Sequence, residues 1–193
     1  AFLESLGALE NTLIVLISDN GASQEGSPFG TLNALRYFNR MRDTLEDNVA
    51  QIDTIGEAQH NNNYPLGWAM AGNTPLKRYK QNTHGGGIRD PLVVRVPADE
   101  GRQGTLRHQF CHASDLAPTV LDLLGLPGVA GVTGASFAAT IDQPDATTGK
   151  TTQYFEMFGH RGIWHEGWKA VAWHAPGTPF DDDQWELYDL AND

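Results

Sequence analysis

The sequence predicts an α/β fold in which helices flank a sheet and a small antiparallel subdomain closes the C-terminal end. Three observations predict it. The run Leu13-Ile14-Val15-Leu16-Ile17 is apolar and rich in β-branched residues, and reads as a strand buried on both faces. The run Leu92-Val93-Val94-Arg95-Val96, closed by Pro97, reads as a second strand. From Thr152 onward short strand-like runs alternate with turn residues, which is the pattern of an antiparallel meander.

The elements follow in chain order. Phe2, Leu3, Leu6 and Leu9 have helical spacing, so a helix is expected over residues 2–10, leading into the first strand. Residues 22–30 are rich in Gly, Ser and Pro and read as a loop. Leu32, Leu35 and Phe38 suggest a short helix or an ordered loop. Asp43-Thr44-Leu45-Glu46 reads as a capping box, with Leu45, Val49, Ile52 and Ile55 as one apolar stripe behind it and Gly56 as the stop. Asn61-Asn62-Asn63 and Pro65 mark another loop, and residues 99–105 are a polar connection after the second strand. Asp115 to Leu124 reads as a helix, with Asp115 near its cap, Pro118 in the first turn and Gly125 ending it. Residues 126–150 look irregular. Strands are expected at Thr152 to Phe158, Gly162 to Trp164, Trp168 to Trp173 and Trp185 to Leu190.

Composition narrows the function. The chain has 193 residues, 40% hydrophobic and 19% charged, enough for a sizeable core and unlike a disordered segment. Net charge is -11 and the pI is near 4.9, which argues against a nucleic-acid partner, because phosphate binding needs clustered Lys and Arg. A small anionic substrate remains open, since a few local cations and a metal reverse the local field. No apolar run reaches the length of a membrane span. Cys111 is the only cysteine, so an intramolecular disulfide and a thiolate zinc cluster are excluded.

Two segments carry the chemistry. The first strand ends at Ser18-Asp19-Asn20-Gly21: a carboxylate, an amide carbonyl and a residue free to turn sharply. Ligands of α/β sheets bind at the carboxyl ends of strands, and hard cations such as Ca²⁺ and Mg²⁺ take such oxygens. An ordinary Asx turn has the same composition, and the residues alone leave both readings open. The second segment is Lys80-Gln81-Asn82-Thr83-His84-Gly85-Gly86-Gly87-Ile88-Arg89-Asp90-Pro91. Its glycines allow a backbone to pass close to a ligand or another strand, Lys80 suits an anionic oxygen, and His84 can donate a hydrogen bond or shuttle a proton. It precedes a strand and lacks dinucleotide-binding spacing. A glycine-rich turn with solvated cations is the plain alternative.

Taken in order, these segments resemble the sulfatase family, specifically the arylsulfatases of the alkaline-phosphatase-like superfamily. The resemblance runs from Asn11-Thr12 and Ser18-Asp19-Asn20-Gly21 through Leu66-Gly67-Trp68-Ala69-Met70-Ala71-Gly72-Asn73-Thr74-Pro75 and Lys80. It continues with His84-Gly85-Gly86-Gly87-Ile88-Arg89-Asp90-Pro91 and Asp115-Leu116-Ala117-Pro118-Thr119. It ends with Gly159-His160-Arg161-Gly162-Ile163, Gly167-Trp168-Lys169 and Glu186-Leu187-Tyr188-Asp189-Leu190. It implies that residues 1–125 are the C-terminal part of the α/β catalytic domain, holding part of an alkaline-phosphatase-like sheet. Residues 126–193 would be the irregular connection and small antiparallel subdomain.

The resemblance also implies site roles. Asp19 and Asn20 match a pair that ligates a divalent cation, Ca²⁺ or in its place Mg²⁺. Lys80 matches a lysine that contacts the sulfate, and His84 matches a histidine of part of the family. Arg89 is expected to pair with a carboxylate and Asp115 to cap a helix. The implied substrate is a small-molecule or carbohydrate sulfate ester.

One family feature does not match. Sulfatases use a formylglycine made from a Cys or Ser in a Cys/Ser-x-Pro-x-Arg motif. Cys111 is followed by His112, Ala113 and Ser114, and no serine stands in that pattern. The nucleophile and the remaining metal carboxylates are therefore expected in a missing N-terminal part, and the chain is expected to be the C-terminal part of a sulfatase, inactive alone and with an exposed strand edge. The alternatives are a related phosphoester or phosphonate hydrolase, a non-catalytic binding protein, and a carbohydrate-binding module suggested by Trp68, Trp164, Trp168, Trp173 and Trp185. Packing of the small sheet explains those tryptophans more simply.

Overall fold

The computed structural model describes residues 1–97 and 104–193. Helix α1 (Phe2–Ser5) is a single turn, cut short by Gly7 at φ +64°, and a 3₁₀ turn (Leu9–Asn11) leads into strand β1 (Ile14–Ile17). The longer helix expected over 2–10 does not form. Helices α2 (Ala34–Phe38) and α3 (Leu45–Val49) are short, whereas α4 (Leu66–Asn73) has two turns. The glycine-rich segment is not an irregular turn but a one-turn helix, α5 (Gly85–Ile88), directly before β2 (Leu92–Arg95). Helix α6 (Leu116–Leu123) and the short α7 (Ala138–Asp142) precede strands β3 (Thr152–Met157), β4 (His160–His165), β5 (Trp168–Ala172) and β6 (Trp185–Asp189). Of the polar connection over 99–105, all but residues 104 and 105 lies outside the described residues.

Two sheets form, both antiparallel. In the first, β1 pairs with β2 from Ile14 opposite Arg95 to Ile17 opposite Leu92. In the second, β3-β4-β5-β6 run in sequence order, the expected meander. The burial expected of β1 is not found: all four of its residues are exposed, Leu16 at 68%. The strand has one hydrogen-bonded neighbour, and no second layer among the described residues covers its faces.

The α3 region differs in detail. Thr44, not Asp43, caps the helix, its hydroxyl accepting from the Asp47 N–H at 3.1 Å, while Asp43 pairs with Arg36 at 2.9 Å. The helix stops at Val49 and a 3₁₀ turn follows (Ile52–Thr54), so the stripe Leu45, Val49, Ile52 and Ile55 stays exposed.

Burial concentrates where the second sheet meets the α5 segment and α6. Val171, Thr83, His84 and Asp115 are the largest fully buried side chains. Trp164 is buried and stacks on Phe110 with ring centroids 3.8 Å apart, the packing role expected for a meander tryptophan. Asp115 accepts from the His112 N–H at 2.7 Å and the Ala135 N–H at 2.9 Å, and pairs with buried Lys150 at 2.9 Å. Contrary to expectation, its carboxylate does not cap α6 itself but closes the capping box of the 3₁₀ turn (Ala113–Asp115) that leads into α6, and ties residues 135 and 150 to it.

That pair yields a prediction. Asp115→Ala leaves a buried ammonium without its counter-charge, though still bonded to Gln153, and two N–H donors without partners, which should cost on the order of 3–5 kcal/mol. Urea unfolding of the protein with and without the substitution measures it. A double Asp115→Leu, Lys150→Met variant should lose clearly less than the single one.

Candidate functional site

The two chemically loaded segments lie side by side, and backbone contacts hold them there. The Ser18 N–H donates to the Pro91 carbonyl at 3.3 Å, the Gly21 N–H to the Gly87 carbonyl at 3.2 Å, and the Lys80 N–H to the Ala22 carbonyl at 3.0 Å. This closeness requires glycine at position 21, and the fold of the second segment on itself requires it at position 86. A Cβ on Gly21 would lie 1.7 Å from the Gly86 carbonyl oxygen, and one on Gly86 would lie 2.0 Å from that of Arg78.

Asn73, the last residue of α4, completes the joint. Its Oδ1 accepts from the Ala22 N–H at 3.2 Å, and its Nδ2 donates to the carbonyls of Arg78 at 3.0 Å and Gly86 at 2.8 Å. One side chain thus satisfies one donor and two acceptors from three segments.

The predicted metal residues sit at the mouth of this joint. Asp19 is exposed and Asn20 half-buried. Ser18, Asn20, Arg89 and Asp90 line a cavity of ≈ 330 Å³ whose far wall is Gly72–Leu76. Burial raises the Asp90 carboxyl to about 6, and the neighbouring charge of Asp19 adds to the shift. The donors are oxygens of the kind hard cations take, and Asp90 is an addition that sequence reasoning passed over inside its own motif. They do not complete a shell: no group of three or more His, Cys, Asp or Glu among the described residues is arranged to hold a metal ion. Arg89 is exposed and has no carboxylate partner among the described residues, so the ion pair expected for it is absent.

Lys80 and His84 part company. Lys80 keeps 30% of its side chain exposed and reaches Glu25 at 2.9 Å, in the loop that follows Asn20. Glu25 in turn accepts from Ser23 Oγ at 3.1 Å and Gln81 Nε2 at 3.1 Å. His84 is only 2% exposed. Its Nε2 lies 3.4 Å from Glu186 of β6, and its Nδ1 is buried without a hydrogen-bond partner. Burial pushes the imidazole down to about 4 against the pull of Glu186, so the ring is neutral at pH 7.

Glu186 gathers more than His84. It accepts from Lys77 Nζ at 2.7 Å and from the Tyr188 hydroxyl. Burial opposes its ionisation, yet Lys77, Tyr188 and His84 together hold its carboxyl down to about 2. The next residue along, Thr83, donates its hydroxyl to the Arg161 carbonyl of β4 at 3.0 Å. The second sheet therefore grips the Lys77–His84 segment at two points. Sequence reading singled out the Glu186 motif without a role for it, because its partners lie about a hundred residues away.

Comparison with known proteins points to one family. The sulfatase family profile matches residues 1–126, and the profile of the N-sulphoglucosamine sulphohydrolase C-terminal region matches residues 77–193. Their overlap contains the Lys77–His84 segment. An uncharacterized sulfatase of Schizosaccharomyces pombe is 28% identical over 208 residues, covering 100% of this chain and 35% of that protein. A protein solved with its substrate D-glucosamine-2-N,6-O-disulfate superimposes with a TM-score of 0.56 at 19% identity, over 98% of this chain and 30% of the other. A second structure, from a Bacteroides thetaiotaomicron locus for glycosaminoglycan metabolism, gives a TM-score of 0.60 at 17% identity, over 98% of this chain and 35% of the other. The chain thus spans about a third of the length of these relatives.

The Asn73 joint and the buried histidine each give a prediction. Asn73→Asp keeps the shape but turns a carboxylate oxygen toward two carbonyls, and should destabilise the protein by about 2 kcal/mol or more in urea unfolding. For His84, the folded state binds its proton with a pKa near 4, below the ordinary 6.5 of the unfolded chain. Its contribution is complete above pH 6.5 and is lost as pH falls toward 4, because the unfolded state takes up the proton first. The melting temperature should therefore drop over that window, and His84→Gln should flatten the drop.

Proposed function

The chain belongs to the sulfatase family, and we propose from that premise that it carries part of the active site of a sulfuric ester hydrolase of the arylsulfatase type. The observation that supports this reading most is the joint itself. The strand end bearing Asp19 and Asn20 and the segment bearing Lys80 are bonded backbone to backbone, through Lys80 N–H and the Ala22 carbonyl at 3.0 Å. Oxygen ligands and a lysine that are sixty residues apart in sequence are thus brought to one region on adjoining backbone segments.

The roles follow from the chemistry of each group. Asp19 and Asn20 would hold Ca²⁺, or Mg²⁺ in its place, together with ligands from elsewhere in the whole protein. When bound, the cation supplies Lewis-acid stabilisation of the sulfuryl oxygens. Lys80 places an ammonium beside the same region, held by Glu25 until an anion competes for it. The ammonium stabilises charge on the sulfate and on the oxygen that leaves. His84, buried and turned to Glu186, serves to keep the Lys80 segment in place. The nucleophile, a formylglycine in this reading, belongs to an N-terminal part of the same protein, since no Cys or Ser here stands in the required motif.

The reading is tested on the whole protein with 4-nitrophenyl sulfate and 4-nitrophenyl phosphate as parallel substrates. Sulfate-ester hydrolysis that EDTA abolishes and Ca²⁺ restores is expected, and preferential phosphate-ester hydrolysis would overturn it. Lys80→Ala should lower kcat/KM by about two orders of magnitude, as for loss of a positioned charge, with the circular dichroism spectrum unchanged. Calcium titration of Asp19→Ala and Asn20→Ala should show weaker binding in each, since each removes one oxygen from the shell. Residues 1–193 expressed alone should give no turnover.

A further inference from the structure

A second cleft adjoins the candidate site and takes no part in the roles assigned so far. Tyr64, Pro65 and Trp68 line it, with Ala22 and Gly72 at its floor, and its volume is ≈ 410 Å³. Ala22 and Gly72 also line the cavity that holds Ser18, Asn20 and Asp90, so the two adjoin at these small residues. No charged side chain lines the second cleft. Trp68 is 68% exposed and Tyr64 42% exposed, although both sit on well-held backbone.

The cleft is built rather than loose. The Ser23 N–H donates to the Tyr64 hydroxyl at 3.0 Å, and the Leu66 N–H donates to the Ser27 carbonyl at 2.8 Å. A Cβ on Gly26 would come within 2.0 Å of the Tyr64 carbonyl oxygen, so the loop lies flush against the aromatic wall. The same loop carries Glu25, the partner of Lys80. Ala22, which forms the floor, accepts the Lys80 N–H.

We propose that the Tyr64-Pro65-Trp68 cleft is the subsite for the ring of the substrate alcohol, taking a flat, uncharged ring face while the attached sulfate reaches Lys80 and Asn20. This rests on the sulfatase reading. Two exposed aromatic side chains around an uncharged slot suit either an aromatic ring or the C–H face of a pyranose, through apolar contact and stacking. The floor of small residues lets that ring approach the strand end, and the absence of a charged wall disfavours a second anionic group on it. Trp68 is then a specificity-determining residue.

The test uses the whole protein and three esters: 4-nitrophenyl sulfate, N-acetylglucosamine 6-sulfate and ethyl sulfate, which has no ring. Trp68→Leu should lower the ratio of kcat/KM for the preferred ring ester to that for ethyl sulfate about tenfold, chiefly through KM, and Trp68→Phe should retain most of it. Which of the two ring esters loses more identifies the ring as aromatic or sugar. An unchanged ratio overturns the subsite and leaves the sulfatase reading standing, whereas a wild-type protein that hydrolyses none of the three removes that reading itself. Acrylamide quenching, read as the difference between wild type and Trp68→Phe, gives an independent check. A quenchable Trp68 that N-acetylglucosamine or phenol shields supports the subsite. A Trp68 that acrylamide does not reach shows that the cleft is filled by the protein itself and overturns it.

Discussion

The arrangement depends on one constraint, the contact of two backbones with no side chain between them. Gly21 approaches Gly86 so closely that a single methyl on Gly21 would collide with the Gly86 carbonyl oxygen, and Gly86 is pressed in turn against the Arg78 carbonyl. Such proximity is tolerable only if the polar groups it buries are paired, and Asn73 supplies the pairing with its amide. The Ser18–Pro91 bond extends the line of the two-stranded sheet by one step, and the Gly21–Gly87 bond ties the loop after β1 to α5. The positions of Asn20 and Lys80 are consequences of that joint.

The second sheet works from the other side. Glu186 and the Arg161 carbonyl hold the segment running from Lys77 to His84. The four strands are consecutive in sequence, and the first two hairpins close tight two-residue loops, which makes them cheap to assemble, whereas a longer connection joins β5 to β6. What they hold is remote in sequence, so the local meander serves as a clamp on a non-local element. Glu186 is suited to this because Lys77, Tyr188 and His84 keep it ionised despite partial burial. A neutral His84 beside it leaves a hydrogen-bonded contact rather than an ion pair at pH 7.

Charge and apolar surface are distributed unevenly. The chain carries -11 overall, and the cations clustered at Lys77, Arg78 and Lys80 are engaged: Lys77 with Glu186, Lys80 with Glu25, and Arg78 over the Trp173 ring. The apolar surface of β1 and of the α3 stripe is the other exposed feature. Relatives of roughly three times the length share the fold over nearly the whole of this chain. The long runs of β-branched residues in β1 are those of a strand with layers on both faces, and here it has one neighbour.

The sequence by itself determined the strands, the meander, the helix behind Asp115 and the family. All four are carried by local signals: β-branched runs, alternation with turns, a cap followed by an apolar stripe, and ordered motifs. It also located Asp19, Asn20, Lys80 and His84 as the chemically loaded residues. Only the tertiary structure decided what each touches and how deeply it is buried. Lys80 and His84 are four residues apart and alike as cations in sequence, yet one is partly exposed beside Glu25 and the other is buried and neutral against Glu186. The partners that separate them come from residues 25 and 186, and burial is a property of the packed whole. The same holds for Asn73 and Trp68. In sequence both belong to one motif of the family resemblance with no role of their own, and the loop of residues 22–26 that packs against helix α4 makes the first a structural joint and the second a wall of a cleft.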